Sequence, residues 1–250
     1  MNAIRLTALA LVLSAFASQA SASVIVTSNN FQSSSTPGWT FAAGTSQYVT
    51  DPKDSGNKVL QFTGNSPTAI THGFASQNGD LFVSFDFSYS GAMAVNTFMG
   101  VYLGGLSTSP NIGIKSNCDD KSGQCTNDVY VRMGDAGTIM MANSDLAADT
   151  NYTIFGRLYK DNGSATYNRF DAWLNPSQDE LMNLSTPDAF ATGKTSLTSV
   201  SALSVRTANL DGNSTLRIDN LAVSQVPEPG SLSLIGLALA GFAFSRRKRA

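Results

Sequence analysis

Histidine and cysteine are scarce in this chain, and their scarcity excludes several kinds of catalytic and metal site. Of its 250 residues, one is histidine and two are cysteine. A serine or cysteine nucleophile commonly needs a histidine base, and no nucleophile signature surrounds the single His72. Two thiols are too few to hold a zinc ion. The sequence therefore predicts neither a His-dependent nucleophile nor a zinc centre.

Basic residues are also few once the two ends of the chain are set apart. Five of the 16 basic residues lie at the termini, and residues 23–225 keep 11 basic against 17 acidic residues, a net charge of about −6. Proteins that bind nucleic acid cluster Lys and Arg to neutralise phosphates. No basic stripe occurs in this segment, so we expect no nucleic-acid partner.

The N-terminus is typical of a secretory signal peptide. Arg5 supplies the positive charge, residues 6–16 form an apolar core, and Ala20-Ser21-Ala22 is a small-residue cleavage site. The apolar core is too short for a membrane anchor, which is the alternative. We predict a signal peptide over residues 1–22.

The last 25 residues contain three segments in a fixed order. A Pro-Glu-Pro motif comes first, and it is extended because proline fixes its own φ and disfavours helix at the preceding residue. An apolar segment at about residues 231–245 follows, about 22 Å long as a helix against roughly 30 Å for a bilayer core. A basic cluster follows the apolar segment and should stay in the cytoplasm. The residues before Pro227 should then lie on the other side of the membrane. The motif and the basic cluster comprise Pro227, Glu228, Pro229, Arg246, Arg247, Lys248 and Arg249.

This tripartite tail, residues 226–250, resembles the PEP-CTERM sorting signal of Gram-negative bacteria. The resemblance implies that an exosortase, a membrane-embedded protease of transpeptidase type, processes the chain near residues 227–229. It also implies export through the inner membrane to the cell envelope, outer surface or extracellular matrix, and an association with exopolysaccharide and biofilm. An ordinary C-terminal anchor is the alternative.

Residues 23–225 predict a single all-β domain. In residues 81–89, apolar side chains alternate with Ser84, Asp86 and Ser88, and a period of two predicts a half-buried strand. Further strands are predicted at residues 24–26, 59–63, 98–103, 128–133, 152–159, 170–174, 202–206 and 215–223. Strands of this spacing, joined by Gly- and Asn-containing turns, favour a sandwich or barrel.

Three local signals refine this prediction. Asn162-Gly163 lies between two predicted strands and favours a hairpin. The apolar register of the last strand shifts by one between Ile218 and Leu221, which predicts a bulge near Asp219-Asn220. Residues 178–183 predict one turn of helix.

The strand order is similar to the concanavalin A-like or laminin-G-like jelly roll. The similarity rests on residues 152–158, 170–176 and 218–221. It implies a jelly-roll-like β-sandwich, a fold that many sugar-binding modules and some glycanases use. Fold alone does not decide between these functions.

The two cysteines, Cys118 and Cys125, are separated by six residues in a chain expected to be exported. A close pair of this kind predicts one disulfide that closes a small loop between strands. In the chain-entropy account, such a short loop contributes about 2 kcal/mol to stability.

One early loop contains Asp51, Asp54 and Asn57. Carboxylate and amide oxygens are the ligands that calcium prefers. Jelly-roll modules similarly pair an early loop with an aspartate of the closing strand, here Asp219. The resemblance therefore implies a structural calcium at Asp51, Asp54 and Asp219, with a solvated turn as the alternative. No other cofactor is predicted.

Two aromatic residues are candidates for sugar stacking. Trp173 immediately precedes Leu174, and Tyr159 immediately follows Leu158. Successive residues of a strand point to opposite faces, so both aromatic side chains should lie on the face opposite to these leucines. Aromatic rings stack on the apolar faces of sugars. Packing in the core is the alternative for Trp173.

No predicted strand carries the paired acids that retaining glycanases use. Retaining glycanases with the jelly-roll fold have a Glu-x-Asp-x-x-Glu run, and their nucleophile and acid lie about 5 Å apart. This run does not occur, and neither Glu180 nor Asp171 has an acidic neighbour on its own face. We assign no catalytic residue, although acids from separate strands could still converge.

The sequence thus predicts an exported protein of the envelope or matrix, structural or associated with exopolysaccharide, and not an enzyme. The first alternative is a carbohydrate-binding module with an aromatic face. The second is an atypical glycoside hydrolase.

Overall fold

The computed structural model describes residues 24–33, 36–104, 109–118, 125–134, 140–141 and 144–225. Residues 25–225 group into one compact unit. The strands in the described part are β1 (Val24–Asn29), β2 (Trp39–Phe41), β3 (Ser46–Asp51), β4 (Asp54–Phe62), β5 (Ser66–Gln77), β6 (Leu81–Gly91), β7 (Phe98–Leu103), β8 (Asn111–Cys118), β9 (Cys125–Arg132), β10 (Met140–Met141), β11 (Tyr152–Tyr159), β12 (Arg169–Leu174), β13 (Ala189–Thr192), β14 (Val200–Ala208) and β15 (Ser214–Gln225), and the helix is α1 (Gln178–Asn183).

These strands form two antiparallel sheets. The first has eight strands in the order β13-β12-β11-β6-β15-β4-β3, with β1 also pairing with β15. The second has seven strands in the order β10-β9-β8-β7-β14-β5-β2. Neighbours in these orders are mostly distant in sequence, so the sheets depend on long-range pairing. The predicted jelly-roll-like β-sandwich is confirmed.

The core lies between the two sheets. The strand β6 directs its alternate residues, including Val83 and Phe85, inward, as its period of two predicts. Val101 of β7 and Val205 of β14 are opposite each other in register and are also fully buried in this core. Burial of apolar area at roughly 25 cal/mol per Å² is the main stabilising contribution in such an interior.

All the strands predicted from the sequence are present, and several others were missed. The clearest omission is β5, whose sequence contains Pro67, Gly73 and several small residues. Such a segment has weak intrinsic strand propensity. It is a strand here because β14 pairs with one of its edges and β2 with the other.

The predicted local features are also present. The strands β11 and β12 pair from Ile154 opposite Leu174 to Tyr159 opposite Arg169. In the turn between them, Asn162 and Gly163 have φ values of 53° and 72°, the left-handed conformation that Asn and Gly tolerate best. The helix α1 begins with a capping box, in which Ser177 and Glu180 each bond the other's backbone.

Cys118 and Cys125 are directly opposite each other at the ends of β8 and β9. Residues opposite each other in an antiparallel pair have Cα atoms about 4.5–5.5 Å apart, within the roughly 4.4–6.8 Å that a disulfide spans. The side chains of both residues lie outside the described part of the structure, so the disulfide stays a prediction.

The predicted signal peptide (residues 1–22) and sorting signal (residues 226–250) lie outside the described residues. In the part of the chain that the structure describes, no helix has the length and apolar character needed to cross a membrane. The predicted membrane segment at residues 231–245 is not in that part.

A glycine in β11 allows the two sheets to approach closely. A Cβ atom added to Gly156 would lie 2.8 Å from Cδ1 of Ile112, which belongs to the seven-stranded sheet, and 2.9 Å from Cε2 of Phe170. Real Cβ contacts are longer than this, so any side chain here would push the sheets apart.

We expect Gly156→Ala to lower the free energy of unfolding by about 1–3 kcal/mol through overpacking. Gly64→Ala is the matched control, because the nearest atom to its added Cβ lies at 3.8 Å. This control should leave stability unchanged or slightly raised. Urea unfolding of both variants is the measurement, and equal stability would contradict the account of Gly156.

Candidate functional site

A polar pocket of about 250 Å³ lies on the outer face of the eight-stranded sheet. The alternation of β6 buries Phe85 and Phe87 in the core and turns Asp86 outward. The strand β15 likewise turns Arg217 and Asp219 outward from the core residues Leu216 and Ile218. The pocket is lined by Asp51, Asn57, Val59, Asp86, Phe87, Ser88, Asn151, Tyr152, Thr153, Arg217, Ile218, Asp219 and Asn220.

The centre of this pocket is a pair of carboxylates. Asp86 of β6 and Asp219 of β15 are directly opposite each other in register. Two like charges at such positions would destabilise the sheet. The register shift after Asp219 resolves the conflict, because it places Asn220 with φ at 49° between them. The Asn220 backbone N–H donates to Asp219 Oδ1 (2.8 Å) and its side-chain Nδ2 donates to Asp86 Oδ2 (2.7 Å).

Two neighbouring strands supply the remaining donors. Thr153 of β11 donates its hydroxyl to Asp86 Oδ1 at 2.6 Å. Asn57 of β4 donates Nδ2 to Asp219 Oδ2 at 2.8 Å, and its own Oδ1 accepts from Gln32. Each of the four carboxylate oxygens therefore accepts one hydrogen bond from the protein. A carboxylate offers about four lone-pair sites, so each oxygen can accept a second bond from a ligand.

The two carboxylates have different electrostatic environments. Asp219 is 6% exposed, and burial raises its pKa, with the charges of Asp86 and Asp51 acting in the same direction. The hydrogen bonds from Asn57 and Asn220 oppose this rise. Asp86 is more exposed than Asp219 and also has a donor on each oxygen.

Arg217 lines the same pocket without forming an ion pair with a described carboxylate. Its Nε donates to Gln61 at 3.1 Å, and its Nη2 donates to the Ser90 hydroxyl at 3.3 Å. Three carboxylates and one guanidinium thus leave the pocket with negative charge.

The predicted calcium ligands are only partly brought together. Asp51 and Asp219 both line the pocket, whereas Asp54, the first residue of β4, does not line it and accepts from the Gly56 backbone N–H. Among the described residues, no group of three or more His, Cys, Asp or Glu has an arrangement that could hold a metal ion. Asp51, Asp54 and Asp219 therefore do not form one site. The carboxylates that share the pocket with Asp219 are those of Asp51 and Asp86.

The predicted aromatic candidates lie on the outer face of the eight-stranded sheet. Trp173 is 1% exposed, its Nε1 donates to the Ser185 carbonyl at 2.7 Å, and its ring centroid lies 5.7 Å from that of Phe155. The Trp173 ring is therefore buried on this outer face, apart from the core cluster between the sheets.

Tyr159 is occupied by its neighbours. The Arg157 guanidinium lies 4.1 Å from its ring centroid, and its hydroxyl donates to Asp171 Oδ2 at 2.9 Å. Burial, together with the hydrogen bond to Asp171 and the charge of that residue, raises the pKa of Tyr159 to about 12. The Tyr159 hydroxyl is therefore neutral at physiological pH, and one face of its ring is covered.

The sequence indicated that the loop containing Asn57 lies near Asp219, but it did not indicate Asp86 or Thr153 as neighbours of Asp219. The outward position of Asp86 was visible in the alternation of residues 81–89, and the bulge at Asp219-Asn220 was predicted. What was missing was the register that places Asp86 opposite Asp219, which lies 133 positions further along the chain.

Comparisons with known proteins support the predicted sorting signal and the β-sandwich fold. Residues 225–248 match the PEP-CTERM protein-sorting motif, which implies export and processing by an exosortase. No curated protein matches the sequence.

Three solved structures share the fold at low sequence identity. One is described as a conserved carbohydrate esterase of the Shiga toxin-encoding bacteriophage phi24B (14% identity, TM-score 0.50, covering 82% of this chain and 100% of that one). Another is a CBM2 module of the evolved Dit of Lactobacillus casei BL23 phage J-1 (9% identity, TM-score 0.51, covering 82% of this chain and 96% of that one). A third is a GH43 glycoside hydrolase with an engineered active site (9% identity, TM-score 0.50, covering 81% of this chain and 41% of that one). At these identities the similarity shows the fold alone.

The raised pKa of Asp219 predicts a pH-dependent difference between the wild type and Asp219→Asn. Because the folded state binds this proton more tightly than the unfolded state, the wild type gains stability relative to the variant as pH falls from about 7 to about 4. It loses this gain as pH rises through the folded-state pKa.

Urea unfolding of both proteins across this range measures the difference in free energy of unfolding. Asp179→Asn, on the exposed helix α1, controls for the general effect of removing a carboxylate. A difference that stays constant or grows in the opposite direction would contradict the assignment.

Proposed function

We propose that this exported protein is a polysaccharide-binding component of the cell envelope or extracellular matrix, and that the pocket around Asp86 and Asp219 contacts the polysaccharide. The PEP-CTERM motif at residues 225–248 supports the location. The pocket supports the binding activity.

The observation that carries the proposal is the prearranged set of acceptors in this pocket. Asp86 and Asp219 are held by donors from β11, β15 and β4, and each carboxylate oxygen keeps acceptor capacity. Side chains fixed on strands lose little conformational entropy when a ligand binds. Sugar hydroxyl groups are suitable donors for such oxygens, because each can donate to one carboxylate oxygen while accepting from a neighbouring amide.

Charge narrows the class of polysaccharide. Among the described residues that line the pocket, Asp51, Asp86 and Asp219 carry carboxylates, and the Arg217 guanidinium already donates to Gln61 and Ser90. A polyanionic glycan would be repelled here and by the net negative charge of the body. The ligand is therefore a neutral or amino-sugar polysaccharide.

A purely structural role of the network is the simplest rival. The hydrogen bonds from Thr153, Asn220 and Asn57 link four neighbouring strands of the sheet, which would stabilise the fold without any ligand. Binding and stability must therefore be measured on the same variants.

Co-sedimentation of the full-length chain, in mild detergent, with the exopolysaccharide of its own host tests the proposal. Asp86→Asn removes a charged acceptor, and hydrogen bonds to charged groups contribute about 1.5–3 kcal/mol. We therefore expect about 10- to 100-fold weaker retention. Asp179→Asn on α1 is the matched control and should bind like the wild type. Absence of sedimentation of the wild type, or equal retention of Asp86→Asn, would overturn the proposal.

The same assay with calcium and with a chelator tests the predicted structural calcium. Loss of retention in chelator would support a calcium ion near Asp51 and Asp219. Equal retention in both conditions would remove calcium from the binding mechanism.

Glycoside hydrolysis is the second candidate, and the register of Asp86 and Asp219 favours it. Opposite residues share a face of the sheet, so the two carboxyl groups lie side by side in the pocket, and a retaining hydrolase needs two carboxyl groups close together. With its raised pKa, Asp219 would act as the acid and Asp86 as the nucleophile. Reducing-sugar release by the wild type, lost in both Asp→Asn variants, would establish hydrolysis. Release by neither wild type nor variant would exclude it for the substrates used.

Processing of the tail gives a separate prediction about location. Replacing Pro227, Glu228 and Pro229 by alanine should leave the full-length chain in the membrane fraction, because the motif that the exosortase reads is lost. Ser231→Ala is the control, and an antibody against the body detects both forms on a gel. Equal shortening of the triple variant and the control would contradict processing at this motif.

A further inference from the structure

A second pocket, of about 350 Å³, lies on the seven-stranded sheet. Most of the residues that line it are small, including Thr40, Thr71, Gly73, Gly104, Ala202 and Ser204, and the larger ones are His72 and Leu203. Nothing in the first pocket or in the sorting signal accounts for this surface.

The registers of four neighbouring strands place a row of hydroxyl groups across this sheet. Thr40 of β2 is opposite Thr71 of β5, Thr71 is opposite Ser204 of β14, and Ser204 is opposite Tyr102 of β7. Cross-strand partners share a face of the sheet. The core residues Val101, Leu103, Leu203 and Val205 alternate with Tyr102 and Ser204, so this row faces away from the core.

Ser204 is the unusual member of the row. It is 3% exposed, and among the described residues its Oγ has no hydrogen-bond partner. Buried polar side chains are nearly always hydrogen-bonded, because an unpaired one loses its water without gaining a partner. An unpaired hydroxyl at the floor of a pocket is therefore a group that a polar ligand can satisfy.

The space above Gly73 is open. A Cβ atom added there would meet only the Ser201 carbonyl oxygen, at 3.9 Å, and Gly73 has an ordinary backbone conformation. Ala202, its partner in register, adds no more than a methyl group. This pair leaves room for a flat group to lie against the sheet.

The chemistry of the lining selects the ligand. Among the described residues that line the pocket, none is Asp, Glu, Lys or Arg. The stacked rings of Trp39 and His72 are on the core side of the sheet, because His72 is opposite the core residue Leu203 in register. Hydroxyl groups and small residues without charge suit an uncharged, hydroxyl-rich ligand.

We propose that this pocket is a second saccharide-binding site, which takes a neutral sugar unit against Gly73 and pairs a sugar hydroxyl with Ser204. The inference deepens the proposed polysaccharide binding and rests on it for the class of ligand. The two sites lie on different sheets and differ in charge, so each can be removed without the other.

Calorimetric titration of the full-length chain in mild detergent with cellotetraose, xylotetraose and mannotetraose tests the proposal. The titrations use an Asp86→Asn background, which disables the first pocket. At least one of these neutral tetrasaccharides should bind, and tetragalacturonate should not. Failure of all three neutral probes to bind would overturn the proposal.

Two variants locate the site. Gly73→Val should abolish binding by filling the pocket, and it should keep the fold because the space is open and valine suits a strand. Ser204→Ala should weaken binding about threefold to tenfold through loss of one hydrogen bond. If Ser204 had a purely structural role, its removal would lower the urea unfolding midpoint; we expect that midpoint to be unchanged or raised.

Binding that survives Gly73→Val and Ser204→Ala would overturn the second site. The first site, around Asp86 and Asp219, would still be supported in that case if Asp86→Asn lost retention by exopolysaccharide.

Discussion

The strand β15 pairs along its whole length with β6, from Ser214 opposite Gly91 to Gln225 opposite Leu81. On its other edge it pairs with β4 and with β1. Because β15 is the last described strand and lies inside the eight-stranded sheet, this sheet is completed only when the end of the body has been synthesised. Long-range pairing of this kind carries a large loop-closure cost and folds slowly. The site depends on the same pairing, because β15 carries Asp219 and β6 carries Asp86.

The bulge in β15 shows how a local irregularity makes a polar site compatible with a stable sheet. A regular register would leave Asp86 and Asp219 opposed with too few donors. In its left-handed conformation, Asn220 donates two hydrogen bonds. Its backbone N–H donates to Asp219, and its side-chain amide donates to Asp86. Asparagine tolerates this conformation better than most residues. The bulge thus stabilises the carboxylate pair and holds its oxygens at fixed positions.

The two sheets present different chemistry on their outer faces. The eight-stranded sheet offers carboxylates with donors around them, and the seven-stranded sheet offers uncharged hydroxyls and an exposed glycine. The core lies between them, and Gly156 in the eight-stranded sheet leaves room for the Ile112 side chain of the other sheet. Because the PEP-CTERM match begins at residue 225, the last residue of β15, the sorting signal follows the body without an intervening linker.

The sequence by itself determined the tail, the all-β class, most strands, the turn at Asn162-Gly163, and the bulge at Asp219-Asn220. Each of these depends on residues that are near one another in the chain, through a period of two, a proline, or a tolerance for positive φ. Only the tertiary structure decided that Asp86 is opposite Asp219, that Trp173 is buried on the outer face with its Nε1 bonded to Ser185, and that Ser204 Oγ has no hydrogen-bond partner among the described residues. These facts depend on which strands become neighbours, and that choice is made by packing the two apolar faces over long sequence separations, which no local pattern encodes.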